Sequence, residues 1–216
     1  MTKPLSPRTQ KLEKFIVYFT LFYVSIFAIN ALVRGNVEFV YYTAVMALSI
    51  GVILFINKRL HFYPIVLISL SLLGLLHMLG GNYYIGTVHL YDFYLLPNIF
   101  RYDNFVHMVG SGIMVMLAYA MLKPVLLDSF ERQTLYFGFL LVLVGMGLGA
   151  INELIEFFAV LVFDASKTVG DYTNTLLDIT FNTIGSIITA IILVKTKIPL
   201  VEIPETNKPL SSEKND

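Results

Sequence analysis

Six long apolar runs, separated by short polar stretches, organise this 216-residue chain. They fall at residues 15–33, 37–56, 62–80, 105–122, 135–162 and 175–194. A helix needs about 20 apolar residues to cross a hydrocarbon core of about 30 Å, and each run meets or approaches that length. The apolar positions are continuous, without the period-two alternation of a lipid-facing strand, so the pattern predicts helices rather than a barrel. The first run also fits the apolar part of a signal peptide, but it is long for one and no small-x-small cleavage site precedes Arg34. The prediction is an all-α membrane protein, a six-transmembrane-helix bundle spanning residues 15–195. Residues 1–14 form a cytoplasmic N-terminal segment, and 196–216, with Pro199, Pro204 and Pro209, a flexible cytoplasmic tail. Neither an internal repeat nor a second domain is visible.

Composition agrees. Hydrophobic residues make up 56% of the chain and charged residues 14%, with a mean hydropathy of +0.73, too little polar surface to cover a soluble globule. Cysteine is absent, which removes disulfides and thiolate metal sites, so any metal would need His and carboxylate ligands. Zero formal net charge leaves no basic face for nucleic acid. The expected partner is membrane lipid, the expected location the cytoplasmic (inner) membrane of a prokaryote; oligomeric state is not legible.

Charge along the loops sets an orientation. With the N-terminus inside, Lys3, Arg8, Lys11, Lys14, Lys58, Arg59, Lys123, Arg132, Lys195, Lys197, Lys208 and Lys214 lie inside, against Arg34, Arg101 and Lys167 outside. Setting aside Lys208 and Lys214 as distant from the last helix, the bias still places both termini in the cytoplasm.

Against this apolar background, His77, Asp103, His107, Glu153, Glu156 and Asp178 fall on or at the ends of the apolar segments. At a rise of about 1.5 Å per residue, His77 lies about 22 Å, Glu153 about 27 Å and Asp178 about 24 Å from the inner boundary. Asp103 and His107 open the fourth helix from outside. Four helices thus deliver ionisable groups to the outer third of the bilayer, with Asp92, Arg101 and Asp171 in the adjoining loops. Asp103 and His107 are four apart, as are Asp178 and Asn182, while Glu153 and Glu156 are three apart, so each pair shares a helical face. Gly145, Gly147 and Gly149 precede the glutamates and allow neighbouring backbones to approach closely.

Carboxylates so close cannot all stay ionised in a low-dielectric site without compensating positive charge. A divalent cation is one source: imidazole with carboxylates suits zinc, manganese or iron, and carboxylate with water suits magnesium or calcium. Proton sharing within the pairs, Arg101 or an exogenous cationic group are the others.

The stretch from His77 to Gly81, then Tyr102-Asp103-Asn104-Phe105-Val106-His107 with Gly110, then Asn152-Glu153-Leu154-Ile155-Glu156, then Gly170-Asp171 with Asp178, Asn182 and Gly185, resembles the YjdF-like family of predicted inner-membrane proteins. The resemblance covers residues 60–195 and implies a multi-pass membrane fold without supplying an activity. The later part is more loosely similar to VanZ-like proteins, which are associated with glycopeptide antibiotic resistance. This chain has Glu153-x-x-Glu156 where those proteins more usually have Glu-x-x-Gln, so that role does not carry over.

Simpler readings exist for each residue. His77 suits a helix-end histidine bonded to a backbone carbonyl, Asp103 a helix cap, and Asp178 with Asn182 interhelical hydrogen bonding. Tyr83, Tyr84, Tyr91 and Tyr94 suit an aromatic belt. Three functions compete. In a metal-assisted hydrolase or transferase acting on lipid headgroups or lipid-linked precursors, His77, Asp103, His107 and Asp178 ligate a zinc, manganese or magnesium ion and Glu153 or Glu156 is the general base, with Asn182 and Asp171 alongside. The alternatives are a non-catalytic cation or headgroup binder and a purely structural polar cluster. The apolar inner halves of all six runs argue against a solute pathway. No nucleophile motif, P-loop or dinucleotide fingerprint is present.

Overall fold

The computed structural model describes residues 7–126, 133–165 and 169–201. Lys3, Arg132, Lys167, Lys208 and Lys214, and the tail past Val201, lie outside the described residues. Among those described, six helices are long and apolar enough to cross a membrane: α1 (Pro7–Val33), α2 (Val37–Leu60), α3 (Pro64–Asn82), α4 (Tyr102–Leu122), α5 (Thr134–Phe163) and α6 (Tyr172–Thr196). Each predicted run coincides with one helix. The largest difference is at α1, which begins at Pro7 rather than at residue 15, because Arg8, Gln10, Lys11, Glu13 and Lys14 are good helix formers that a hydropathy pattern does not register.

Local chemistry sets the other ends. Asn36 caps α2 by accepting from the Phe39 N–H at 3.0 Å, and Pro64 opens α3 where its missing N–H costs nothing. Asn104 reaches back to accept from the Arg101 N–H at 3.1 Å, which starts α4 at Tyr102, and Asp171 accepts from the Asn174 N–H at 3.0 Å to start α6. Between α3 and α4 stand two short antiparallel hairpins that the hydrophobic pattern did not predict: β1 (Tyr84–Ile85) with β2 (Val88–His89), turning at Gly86, and β3 (Tyr94–Leu96) with β4 (Phe100–Arg101).

Helices in lipid gain no hydrophobic driving force from each other, so close packing needs small residues. The tightest approach joins α4 to α6. A Cβ on Gly185 would overlap the Met108 carbonyl oxygen and the Ser111 hydroxyl, and one on Gly112 would stand 2.5 Å from Thr189 Oγ1. Gly145 admits Ser186 and Val115, and Gly149 admits Asn182, which brings α5 onto the same pair. Gly147, expected to share this task, faces open space. Away from the polar end, Phe62, Val66, Val115, Tyr119 and Leu141 fill the core, and the Tyr63 N–H donates to Leu200 O at 3.0 Å. The outer helices are looser: α2 buries only Thr43 among its residues.

Gly185→Ala should therefore destabilise the detergent-solubilised protein by about 1–3 kcal/mol, as overpacking does, with Gly147→Ala close to neutral. Thermal unfolding of the two variants checks this, and equal effects would mean that the α4–α6 approach is not sterically limited.

Candidate functional site

The polar end of the bundle is assembled by helix starts and ends. The first turns of α4 present Asp103 and His107 on one face. The start of α6 presents Asn174, Asp178 and Asn182 at four-residue steps, and the C-terminal part of α5 presents Asn152, Glu153 and Glu156. The close approach at Gly185, Gly145 and Gly149 brings these faces together.

His107 is the centre, only 4% exposed. Its Nδ1 stands 3.5 Å from Glu153 Oε1, and its Nε2 stands 3.5 Å from Asp103 Oδ1, 3.8 Å from Asp178 Oδ1 and 3.9 Å from Glu156 Oε1. Four carboxylates from three helices thus surround one imidazole at separations longer than a direct hydrogen bond of about 2.7–3.2 Å. Asp178 is fully buried. Ligand atoms of Asp103, His107 and Asp178 all lie within 4.8 Å of one another, and these three could hold a metal ion. Tetrahedral ligands at about 2.0–2.2 Å from a metal stand about 3.4 Å apart, close to the Nε2 separations of 3.5 Å to Asp103 and 3.8 Å to Asp178.

A ring of amides holds the carboxylates in place. Asn174 Nδ2 donates to Asp178 Oδ2 at 2.7 Å and approaches Asp103 Oδ2 at 3.3 Å, while its Oδ1 accepts from Arg101. Asn104 Nδ2 donates to Asp178 Oδ1 at 3.4 Å, and Asn152 Nδ2 donates to Glu156 Oε1 at 2.7 Å. Arg101 pairs outward with Asp92 at 3.6 Å. Among the described residues of α5 and α6, Glu153 Oε1, which only faces the His107 ring across 3.5 Å, Asn182 Nδ2 and Ser186 Oγ are buried without a hydrogen-bond partner.

Asp103, His107, Glu153, Glu156 and Asp178, all expected at the site, come together there. Asp171 serves as the cap of α6, and Asn182 lies one turn below Asp178 against Gly149. Asp103 is not the cap of α4, since that position is Arg101 and Asp103 lies in the first turn. His77 is not among the three residues whose candidate ligand atoms cluster. Its Nδ1 is 2.9 Å from the Tyr91 hydroxyl, which donates to the His77 carbonyl oxygen at 3.1 Å. Burial, with Asp103 and Glu156 beyond it, holds the Tyr91 phenol well above its ordinary range, so it acts as a neutral donor. Tyr83, Tyr84 and Tyr94 are exposed as a belt requires, whereas Tyr91 turns inward. Sequence reasoning missed Asn174, which falls one residue outside the run at 175–194. Its four-residue spacing from Asp178 and its place three residues after a capping aspartate were the available signals.

A cleft of about 700 Å³ adjoins the cluster, with Asp103, Glu156, Asn174, His77, Arg101 and Tyr91 around one end. A family described as predicted membrane protein (DUF2238) matches residues 15–197. Neither a curated protein nor a solved structure matches the chain.

Because the Asn174 amide serves Asp178, Asp103 and Arg101 together, Asn174→Ala should cost about 2–3 kcal/mol of stability. Asn182→Ala, which removes an amide that already lacks a partner for Nδ2, should cost within about 1 kcal/mol. Denaturation in detergent ranks the pair, and the reverse order would contradict the role given to Asn174.

Proposed function

The chain belongs to the DUF2238 family of predicted membrane proteins, and for this member we propose a metal-assisted hydrolase or transferase that acts on lipid headgroups or lipid-linked precursors. The observation that carries the reading is the encirclement of His107 by Asp103, Asp178, Glu153 and Glu156. Inside a membrane that arrangement needs positive charge beyond one imidazolium, and a divalent ion supplies it in the least space. Asp103, Asp178 and His107 through Nε2 are the ligands, suited to zinc or manganese, or to magnesium with added water. Glu153 faces the other ring nitrogen and takes the orienting position that carboxylates hold behind metal-bound histidines. Glu156, steered by Asn152 and lining the cleft, is placed to accept a proton from water as general base. When bound, the metal polarises the scissile group and lowers the pKa of a bound water. His77 with Tyr91 lies at the mouth of the cleft rather than among the ligands.

The excess of Lys and Arg in the loops at the opposite end supports an extracytoplasmic site, both termini in the cytoplasm and residence in a prokaryotic inner membrane. The likeness to YjdF-like proteins is consistent with that placement, and the looser VanZ-like likeness adds no activity. A second reading, a structural polar cluster, is favoured by one observation: Asn174 and Asn104 between them already give both Asp178 oxygens a donor.

Elemental analysis of the purified protein separates the two. The catalytic reading expects about one divalent ion per chain, lost in His107→Ala and bound about 10–100-fold more weakly in Glu153→Gln. Metal-free parent protein, with both variants folded, would sink the metal reading. Parent and variants equally metal-free, with His107→Ala failing to fold, would establish the structural cluster instead.

A further inference from the structure

The polar cluster occupies only one end of the adjoining cleft. From there the cleft follows α2 from Glu38 to Leu54, 16 residues or about 24 Å of helix. Its other walls come from α1 at Ile16 to Tyr23, α3 at Leu67 to His77 and α5 at Leu148 to Ile155. Half a hydrocarbon core is about 15 Å, so the cleft continues past the membrane midplane.

Its wall is effectively apolar. Val45, Ile50, Val52, Ile53, Leu54 and Leu70 dominate it, and Thr20, Tyr23, Ser49 and Ser71 at this depth bond to one another or to helix carbonyls. Thr20 Oγ1 meets Ser71 Oγ at 2.6 Å, and the Tyr23 hydroxyl donates to Ser71 O at 2.8 Å. Among the described residues, these groups leave the deeper part of the cleft, from Val45 to Leu54, without an unpartnered polar atom. The backbone of α2 approaches α1 and, more sparsely, α5, and it meets α3 through the Phe39 side chain at Gly81 and the Met46 side chain at Gly74, so the cleft runs beside these two side chains.

The two ends therefore have opposite chemistry. At the head end, Arg101 donates to Asn174 through one of its five N–H groups, stands 3.6 Å from Asp92, and lines the cleft. With a cation held by Asp103, His107 and Asp178, that end attracts an anionic, bidentate acceptor, as a phosphate is. We propose that the cleft holds the hydrocarbon tail of a long-chain lipid whose phosphate-bearing head lies between Arg101 and the His107 cluster. The proposal rests on the metal reading for its head end, whereas the tail end rests on the cleft alone.

The chain contains no tryptophan, so a single introduced indole is a clean reporter. Tyr42→Trp places it in the cleft wall, and Phe139→Trp places it on the exposed face of α5, away from the cleft. The probe is phosphatidylglycerol with brominated chains, titrated into detergent-solubilised protein that has been assayed for metal. Quenching of Tyr42→Trp should saturate at about one lipid per chain, with only a shallow, unsaturable slope for Phe139→Trp. Brominated diacylglycerol, which lacks the phosphate, should bind at least about 10-fold more weakly. Equal slopes for the two reporters would overturn the tail site, and equal quenching by the two lipids would overturn the phosphate head. Phosphorus analysis of the washed, unmodified protein covers a misfolded reporter: about one phospholipid per chain is expected, and a trace overturns the proposal. Metal-loaded protein without saturable quenching would sink the tail site alone. Saturable quenching in metal-free protein would sink the cation reading and leave the tail site standing.

Discussion

The Met108 carbonyl oxygen lies against Gly185 so closely that no side chain fits between α4 and α6. That contact is the constraint on which the site depends. In lipid, helices separate readily unless their surfaces interlock, because hydrocarbon solvates an apolar helix face as well as another helix does. Gly112, Gly145 and Gly149 extend the interlock to Thr189, Ser186 and Asn182, so α4, α5 and α6 form a rigid core. Asp103 with His107, Glu153 with Glu156, and Asn174 with Asp178 lie toward one end of these same three helices. Widening the approach would separate the carboxylates from His107 before it disturbed the apolar end around Tyr119 and Leu141.

The charge at that end is out of balance in a way that hydrogen bonds only partly resolve. Asn174 and Asn104 satisfy the two oxygens of the fully buried Asp178, and Asn152 serves Glu156, yet Glu153 Oε1 has no hydrogen-bond partner. Polar groups of this kind in a membrane interior are retained where they bind or transfer something, since each unsatisfied atom costs stability. The adjoining cleft supplies the complementary half. Its tail end carries polar groups bonded to one another or to backbone, so a cluster of ionisable groups at one end adjoins a largely apolar length.

The loosest and tightest parts of the bundle fall on opposite sides of the cleft. The α4–α5–α6 core is locked by glycines, whereas α2 buries only Thr43. An amphiphile entering from the bilayer would displace lipid rather than protein from α2, and the polar cluster would keep its geometry as it did so. The Tyr91 hydroxyl bonds to His77 on the α3 side, and both residues line the cleft.

Six continuous apolar runs of about 20 residues permit little besides six helices, because a bilayer leaves every backbone group to find its partner within its own segment. The same logic made Asp103, His107, Glu153, Glu156 and Asp178 legible, since charge is rare enough in such runs to be noticed, and the helical period fixed which of them share a face. Helix ends were less legible: Pro7 to Lys14 is helical but polar, and Asn174 fell just beyond an apolar boundary. Tertiary structure alone decided that Gly145 and Gly149 pack while Gly147 does not, that His77 bonds to Tyr91, and that Tyr91 leaves its belt. It also decided that a cleft lies beside α2. The physical reason is common to all of these. Periodicity specifies which face of a helix a residue occupies, but the rotation and spacing of one helix against another depend on side-chain shapes that meet only in the folded bundle.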